Sequence, residues 1–216
     1  MEKNTEQKNT EKNSIICTVN GYPITIDEVY NTYQIFLDDI FRDDPEIILT
    51  EEEKNDLLNE SIYTLIDDRL IYLDARENNI VVTENEINFE EEEFRKQFNE
   101  DLPLEIILEE RGYDIEFFRQ KLLEELTIKK MLKKVIPDNI FTDQYLWEYY
   151  QNHKDILDDK EKKMEEKSFE KITIELRDVF EEMIFMDLYT KYVDELFEKA
   201  EIIFNEKNCE ILFQKK

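Results

Sequence analysis

Apolar positions in this chain recur mostly three and four apart, the spacing of one helix face, and each series opens on a recognisable start signal. Thr25 and Glu28 in TIDE make the first capping box, and Val29, Tyr33, Phe36, Leu37 and Ile40 follow it. This predicts an amphipathic helix to about Arg42, before Pro45 interrupts. Thr50 and Glu53 in TEEE repeat the box. Leu58, Ile62, Leu65, Ile66, Leu70 and Leu73 then predict a helix to about Asn78, with Asn78 and Asn79 suited to the left-handed turn that ends one. A third box, Thr83 and Glu86 in TENE, starts a helix that holds Ile87, Phe94 and Phe98 and carries Glu90 to Glu93 on its outer face.

Further along, a short helix is predicted from about Leu104 to Arg111, stopped by Gly112. Asp114 caps the next, with acids early and Lys129, Lys130, Lys133 and Lys134 late, as the helix dipole favours, and Pro137 ends it. Thr142 caps a helix containing Trp147, Tyr149 and Tyr150. A charged bridge without glycine or proline follows, and a helix restarts near Ser168 and runs to about Ala200. At 1.5 Å per residue that restart is a rod of roughly 45–50 Å.

The ends of the chain carry the β signals. SIICTVNGYPIT is β-branched and contains an Asn-Gly turn, so it reads as a short strand and a bend. EIIFNEKNCEILF alternates and turns, which predicts a C-terminal hairpin. The strand near residue 15 has no neighbour in sequence, so its expected partners are the strands near residues 202 and 211. The fold class is therefore mainly α, with one small sheet joining the two ends. Residues 1–14, polar throughout, read as a disordered leader and residues 15–213 as a single helical domain: an N-terminal part (15–153), a charged connection (154–167), and a closing helix with the hairpin (168–213).

Composition narrows function by exclusion. Only 2 glycines and 4 prolines occur in 216 residues, so Gly21 and Gly112 alone cannot build a phosphate loop. A formal net charge of -27 disfavours nucleic acid and anionic membrane surfaces, keeps the chain soluble and attracts basic segments of a partner. No apolar run is long enough to cross a membrane. Cys17 and Cys209 cannot form a zinc site by themselves. They leave two states open: one bridge between strands expected to be neighbours, or two free thiols.

Candidate chemistry is sparse. Glu90 to Glu93 point in different directions from consecutive helix positions, so they read as a solvated face rather than a cation site. His153, with no nucleophile or second histidine nearby, reads as a surface helix-end residue. Tyr145, Trp147, Tyr149 and Tyr150 form an aromatic group suited either to packing or to holding apolar segments. Phe180, Met183, Ile184, Phe185, Met186 and Leu188 go well around their helix, which implies burial on several sides or a face left for a partner.

Taken in order, several phrases resemble the SurA-type periplasmic chaperones and their PrsA-type and PpiD-type relatives. CTVNGYPITIDEV resembles the family's opening strand and acidic helix start. LIDDRLIYLDARENNIVVTENEI and RGYDIEFFRQKLLEEL resemble its middle segments, and SFEKITIELRDVF with YVDELFEKAEIIF its closing helix and strand. The resemblance covers roughly residues 15–205 and rests on order and spacing, not on any one motif. In that family the helix ending in a Tyr-Tyr pair commonly leads into a parvulin prolyl-isomerase domain. Here seventeen residues separate Tyr150 from Ser168, and the whole chain has one histidine.

The resemblance implies a multi-helix chaperone domain without the isomerase: an ATP-independent holdase, not an enzyme, that needs no cofactor or metal. Its partners would be unfolded or extended polypeptides, bound on an apolar concave surface with micromolar-type affinity because chain ordering offsets much of the apolar gain. The client-binding residues expected are Tyr33, Phe36, Leu37, Ile40, Tyr145, Tyr149, Tyr150, Met183, Met186 and Tyr189. Export to the periplasm is implied, with the cytoplasm as the alternative, and the oligomeric state, a dimer included, is left open. The rival reading is an adaptor of the cell envelope that holds one folded partner on the same scaffold.

Overall fold

The computed structural model describes residues 14–98, 103–109, 114–158 and 177–214. The chain divides into two compact units, Met1–Asp74 with Leu196–Lys216, and Ala75–Glu195.

The first unit is built on a three-stranded antiparallel sheet. Strand β1 (Ile15–Val19) turns through Asn20 and Gly21, both at positive φ, into β2 (Tyr22–Thr25). Asparagine and glycine tolerate that left-handed backbone, so a two-residue turn closes a hairpin here. The third strand, β3 (Ile202–Phe204), pairs with the other side of β1, with Cys17 opposite Phe204 and Val19 opposite Ile202. The sheet order is β2-β1-β3, so the two ends of the chain meet as their composition predicts. Two details differ from expectation. The hairpin lies at the N-terminal end, with Pro23 accepted because β2 is an edge strand. The C-terminal hairpin is absent: after β3 the chain forms α8 (Glu206–Gln214). Asn205 explains the change, since its side chain accepts from the Asn208 amide at 3.2 Å and starts a helix where alternation suggested a strand. Cys209 therefore sits on a helix.

Helix α1 (Ile26–Asp43) starts on the Thr25–Glu28 capping box, which forms in both directions. Thr50 and Glu53 do the same for α2 (Glu51–Glu77), and Asn79 at positive φ follows it. Leu58, Ile62, Ile66 and Leu70, each four apart, bury one stripe of α2 against Ile16, Val19, Ile24, Val29 and Leu212. Leu65 and Leu73 flank that core half-buried. The tail is tied to β1 by polar contacts as well. Asn208 donates to the Ile15 carbonyl at 2.8 Å, and the Glu201 amide donates to Asn20 at 2.8 Å.

The second unit is helical. Helices α3 (Glu84–Arg95) and α5 (Ile115–Val135) pack side by side, with α4 (Leu104–Glu109) against α5. Capping by Thr83 and by Asp114 is as the sequence predicts. Phe98 falls just past the end of α3, its ring 5.1 Å from Phe94. A 3-10 turn at Asp138–Ile140 leads to α6 (Asp143–Asp158), whose Tyr145 amide is capped by the Thr142 hydroxyl at 3.2 Å. The Tyr149–Tyr150 pair does not end this helix, which continues to Asp158. Helix α7 is described as Arg177–Phe197, and the restart at Ser168 lies outside the described residues, as does Gly112.

Candidate functional site

In the first unit, the expected client-binding residues lie along α1. Tyr33 packs half-buried on the core. Phe36, Leu37 and Ile40 are half-buried outside that core cluster. Two more apolar side chains join them on the same helix: Ile35 is 59% exposed and Phe41 42%. The turn beyond adds Ile48, 89% exposed. Sequence reasoning missed these three because a stripe drawn at helical spacing assigns its flanking residues to solvent or core only by guess. For Ile35 and Phe41 the run IFLDDIF, denser in apolar residues than one face needs, is the available signal; Ile48 lies beyond it.

In the second unit, the expected residues fall on α6 and α7, which share a small core of Leu146, Tyr150, Phe180 and Ile184. Tyr150 is 3% exposed, its ring 5.9 Å from Phe180. It fills its own unit's core and presents no surface to a partner. Trp147, Tyr149, Met183 and Leu188 border the cluster. The helix pair is pinned by polar contacts at both levels. Arg177 donates to Asp143 at 2.6 Å and to the Phe141 carbonyl at 2.6 Å, and the Asp143 hydrogen bond raises its already high pKa. Tyr149 donates its hydroxyl to Asp187 at 2.6 Å; burial and that carboxylate together push the phenol well above its ordinary value. Tyr149 is therefore half-buried and anchored to α7 through Asp187. Outward from this core stand Tyr145 and Met186, the latter 52% exposed, together with Val179. Phe185 stacks on Tyr189 at 6.1 Å, and both are half-buried.

The other candidates resolve into structure. Glu91 pairs with Arg119, Glu92 with Arg95 and Glu93 with Lys96. Among the described residues no three potential ligands converge as a metal site would require. His153 lies within α6, not at its end, and stacks on Tyr149 at 4.0 Å with its Nδ1 2.9 Å from the Tyr149 carbonyl oxygen. Cys17 is a free thiol in the first unit's core and Cys209 a free thiol packed half-buried against it, with Cys209 Sγ 3.8 Å from the Ile16 carbonyl oxygen. No described helix is long and apolar enough to cross a membrane.

What these elements define is a mainly helical scaffold that closes its ends in one sheet and leaves apolar side chains uncovered on α1, α6 and α7. Residues 2–132 match the model of the SurA-like N-terminal domain, and the chain belongs to that family. Among the described residues no parvulin domain is evident. A solved chain from the work on the virulence factor PEB4 and the periplasmic protein Cj1289, two structurally related SurA-like chaperones of Campylobacter jejuni, superposes with a TM-score of 0.50. The match is at 13% identity and covers 89% of this chain and 99% of that one, a likeness of fold. No curated protein matches.

Proposed function

We propose that this protein is an ATP-independent holdase chaperone that binds unfolded or exported polypeptides in the periplasm and lacks prolyl-isomerase activity. The observation that carries the reading is the set of uncovered apolar side chains on helices, Ile35 and Phe41 on α1 and Tyr145 and Met186 on α6 and α7, in a chain of the SurA-like N-terminal domain family. Surfaces of this kind hold non-native chain through many weak contacts. Methionine suits them because its unbranched side chain adapts to varied shapes. Ordering a flexible client costs much of what apolar burial supplies, so binding is weak and release fast without nucleotide. One of the structurally similar chaperones, Cj1289, is a periplasmic protein, which supports the compartment.

The test is light scattering from citrate synthase held at its unfolding temperature. A several-fold excess of the protein is expected to suppress the signal, and no suppression would overturn the reading. A Phe41→Ser, Met186→Ser double variant is expected to suppress less while keeping its helical circular dichroism. In a proline-peptide isomerisation assay the protein is expected to leave the rate at background. Pull-downs separate the adaptor reading, which demands one stoichiometric folded partner instead of a spread of unfolded clients.

A further inference from the structure

We infer that the groove between α3 and α5 is a subsite for an extended polypeptide segment presenting a bulky apolar side chain flanked by Asp or Glu. The inference rests on the reading of this chain as a polypeptide binder and names a chemistry for part of what it binds.

The groove has a volume of about 360 Å³, at the low end of the range for small-ligand pockets, and so takes a side chain or two rather than a folded surface. Leu126 forms its floor and Phe89, 62% exposed, one wall. Its rim carries Lys129, Lys130 and Lys133, set by helical spacing along one side of α5. In a chain of net charge -27 such a rim is a local reversal.

The three lysines are not equivalent. Lys130 is committed to structure: its Nζ donates to the Val81 carbonyl and to Glu86, both at 2.7 Å. Lys133 lies 3.6 Å from Asp138, a pair exposed on both sides and therefore weak. Lys129 is exposed and has no partner among the described residues. Two ammonium groups thus stand beside an uncovered phenyl ring, and Glu90 is the one acid of the lining that Lys130 does not already neutralise. The complement is an apolar side chain seated on Phe89 and Leu126 with carboxylates reaching Lys129 and Lys133. The overall charge attracts basic segments, so this groove gives the protein a second, opposite preference.

Three short fluorescein-labelled peptides test this, each a Gly-Ser repeat around a central Asp-Phe-Glu, Asn-Phe-Gln or Lys-Phe-Lys, titrated into the full chain and followed by anisotropy. The acidic peptide is expected to bind more tightly than the amide peptide. A Lys129→Glu, Lys133→Glu variant is expected to weaken the acidic peptide about fivefold, the size of two exposed ion pairs, and to leave the amide peptide unchanged. Phe89→Ser is expected to weaken both while circular dichroism stays the same. Equal binding of all three peptides, or no effect of the charge reversal, overturns the subsite. So does a concentration-dependent dimer that the charge reversal abolishes, since the groove then holds a second copy of this chain. The citrate synthase assay separates the two readings. Selective peptide binding without suppression of aggregation removes the holdase and leaves the groove, and suppression with unselective peptide binding does the reverse.

Discussion

Glu86 concentrates several local contacts on one carboxylate. The hydrogen bond from Lys130, followed by those from the Thr83 amide and hydroxyl, lowers its pKa from 4.5 to about 2. A carboxylate depressed in the folded state contributes stability that is complete above its unfolded value and is lost as pH falls toward the folded one. Glu86→Gln is therefore expected to lower the melting temperature at pH 7, and the gap to wild type should shrink between pH 4.5 and pH 2. A gap that stays constant by circular dichroism would show that the contacts are not charge-dependent. Cys17 shifts the other way: burial first, then the neighbouring Cys209 and Glu28, raise its thiol from 9.0 to about 11. Its contribution to stability is whole below pH 9 and declines as pH rises toward 11. At pH 8 an aromatic disulfide reagent should label Cys17 only as fast as the first unit opens, and rapid labelling of Cys17 in a Cys209→Ser variant would contradict the burial.

Most elements were legible in the sequence wherever the determinant is local. The boxes at Thr25, Thr50 and Thr83 each complete a side-chain to backbone exchange within four residues, so neither tertiary contact nor partner is needed to read them. Sequence misleads at the tail because a short continuous apolar run such as Ile211–Phe213 fits strand or helix alike, and Asn205 decides between them only by capping. The candidate site was less legible for a related reason. Whether Tyr150 faces client or core depends on Phe180, thirty positions away on another helix. The α3–α5 groove, likewise, needs Phe89 and Lys129 brought together by packing. Phe180→Ala should make the dependence measurable. It empties the centre of the α6–α7 core and is expected to cost about 3–5 kcal/mol in denaturant unfolding, against less than about 1 kcal/mol for exposed Val179→Ala.

Across the whole molecule, 55 acids face 28 lysines and arginines. Self-repulsion of this size opposes compaction, and salt screens it over about 10 Å at 0.1 M. Raising sodium chloride from low to physiological strength is expected to increase the melting temperature, although it loosens exposed pairs such as Arg42–Asp39. A falling melting temperature would show that the ion pairs outweigh the repulsion.

The middle strand of the only described sheet has one neighbour from each end of the chain, and Asn208 reaches the Ile15 carbonyl across 193 positions. A polypeptide delivered from its N-terminus, by ribosome or by translocation channel, displays IICTV long before β3 and α8 arrive to cover it. Contacts so distant in sequence form late. While it is being made, this protein spends its own nascent period as the sort of substrate it is proposed to protect.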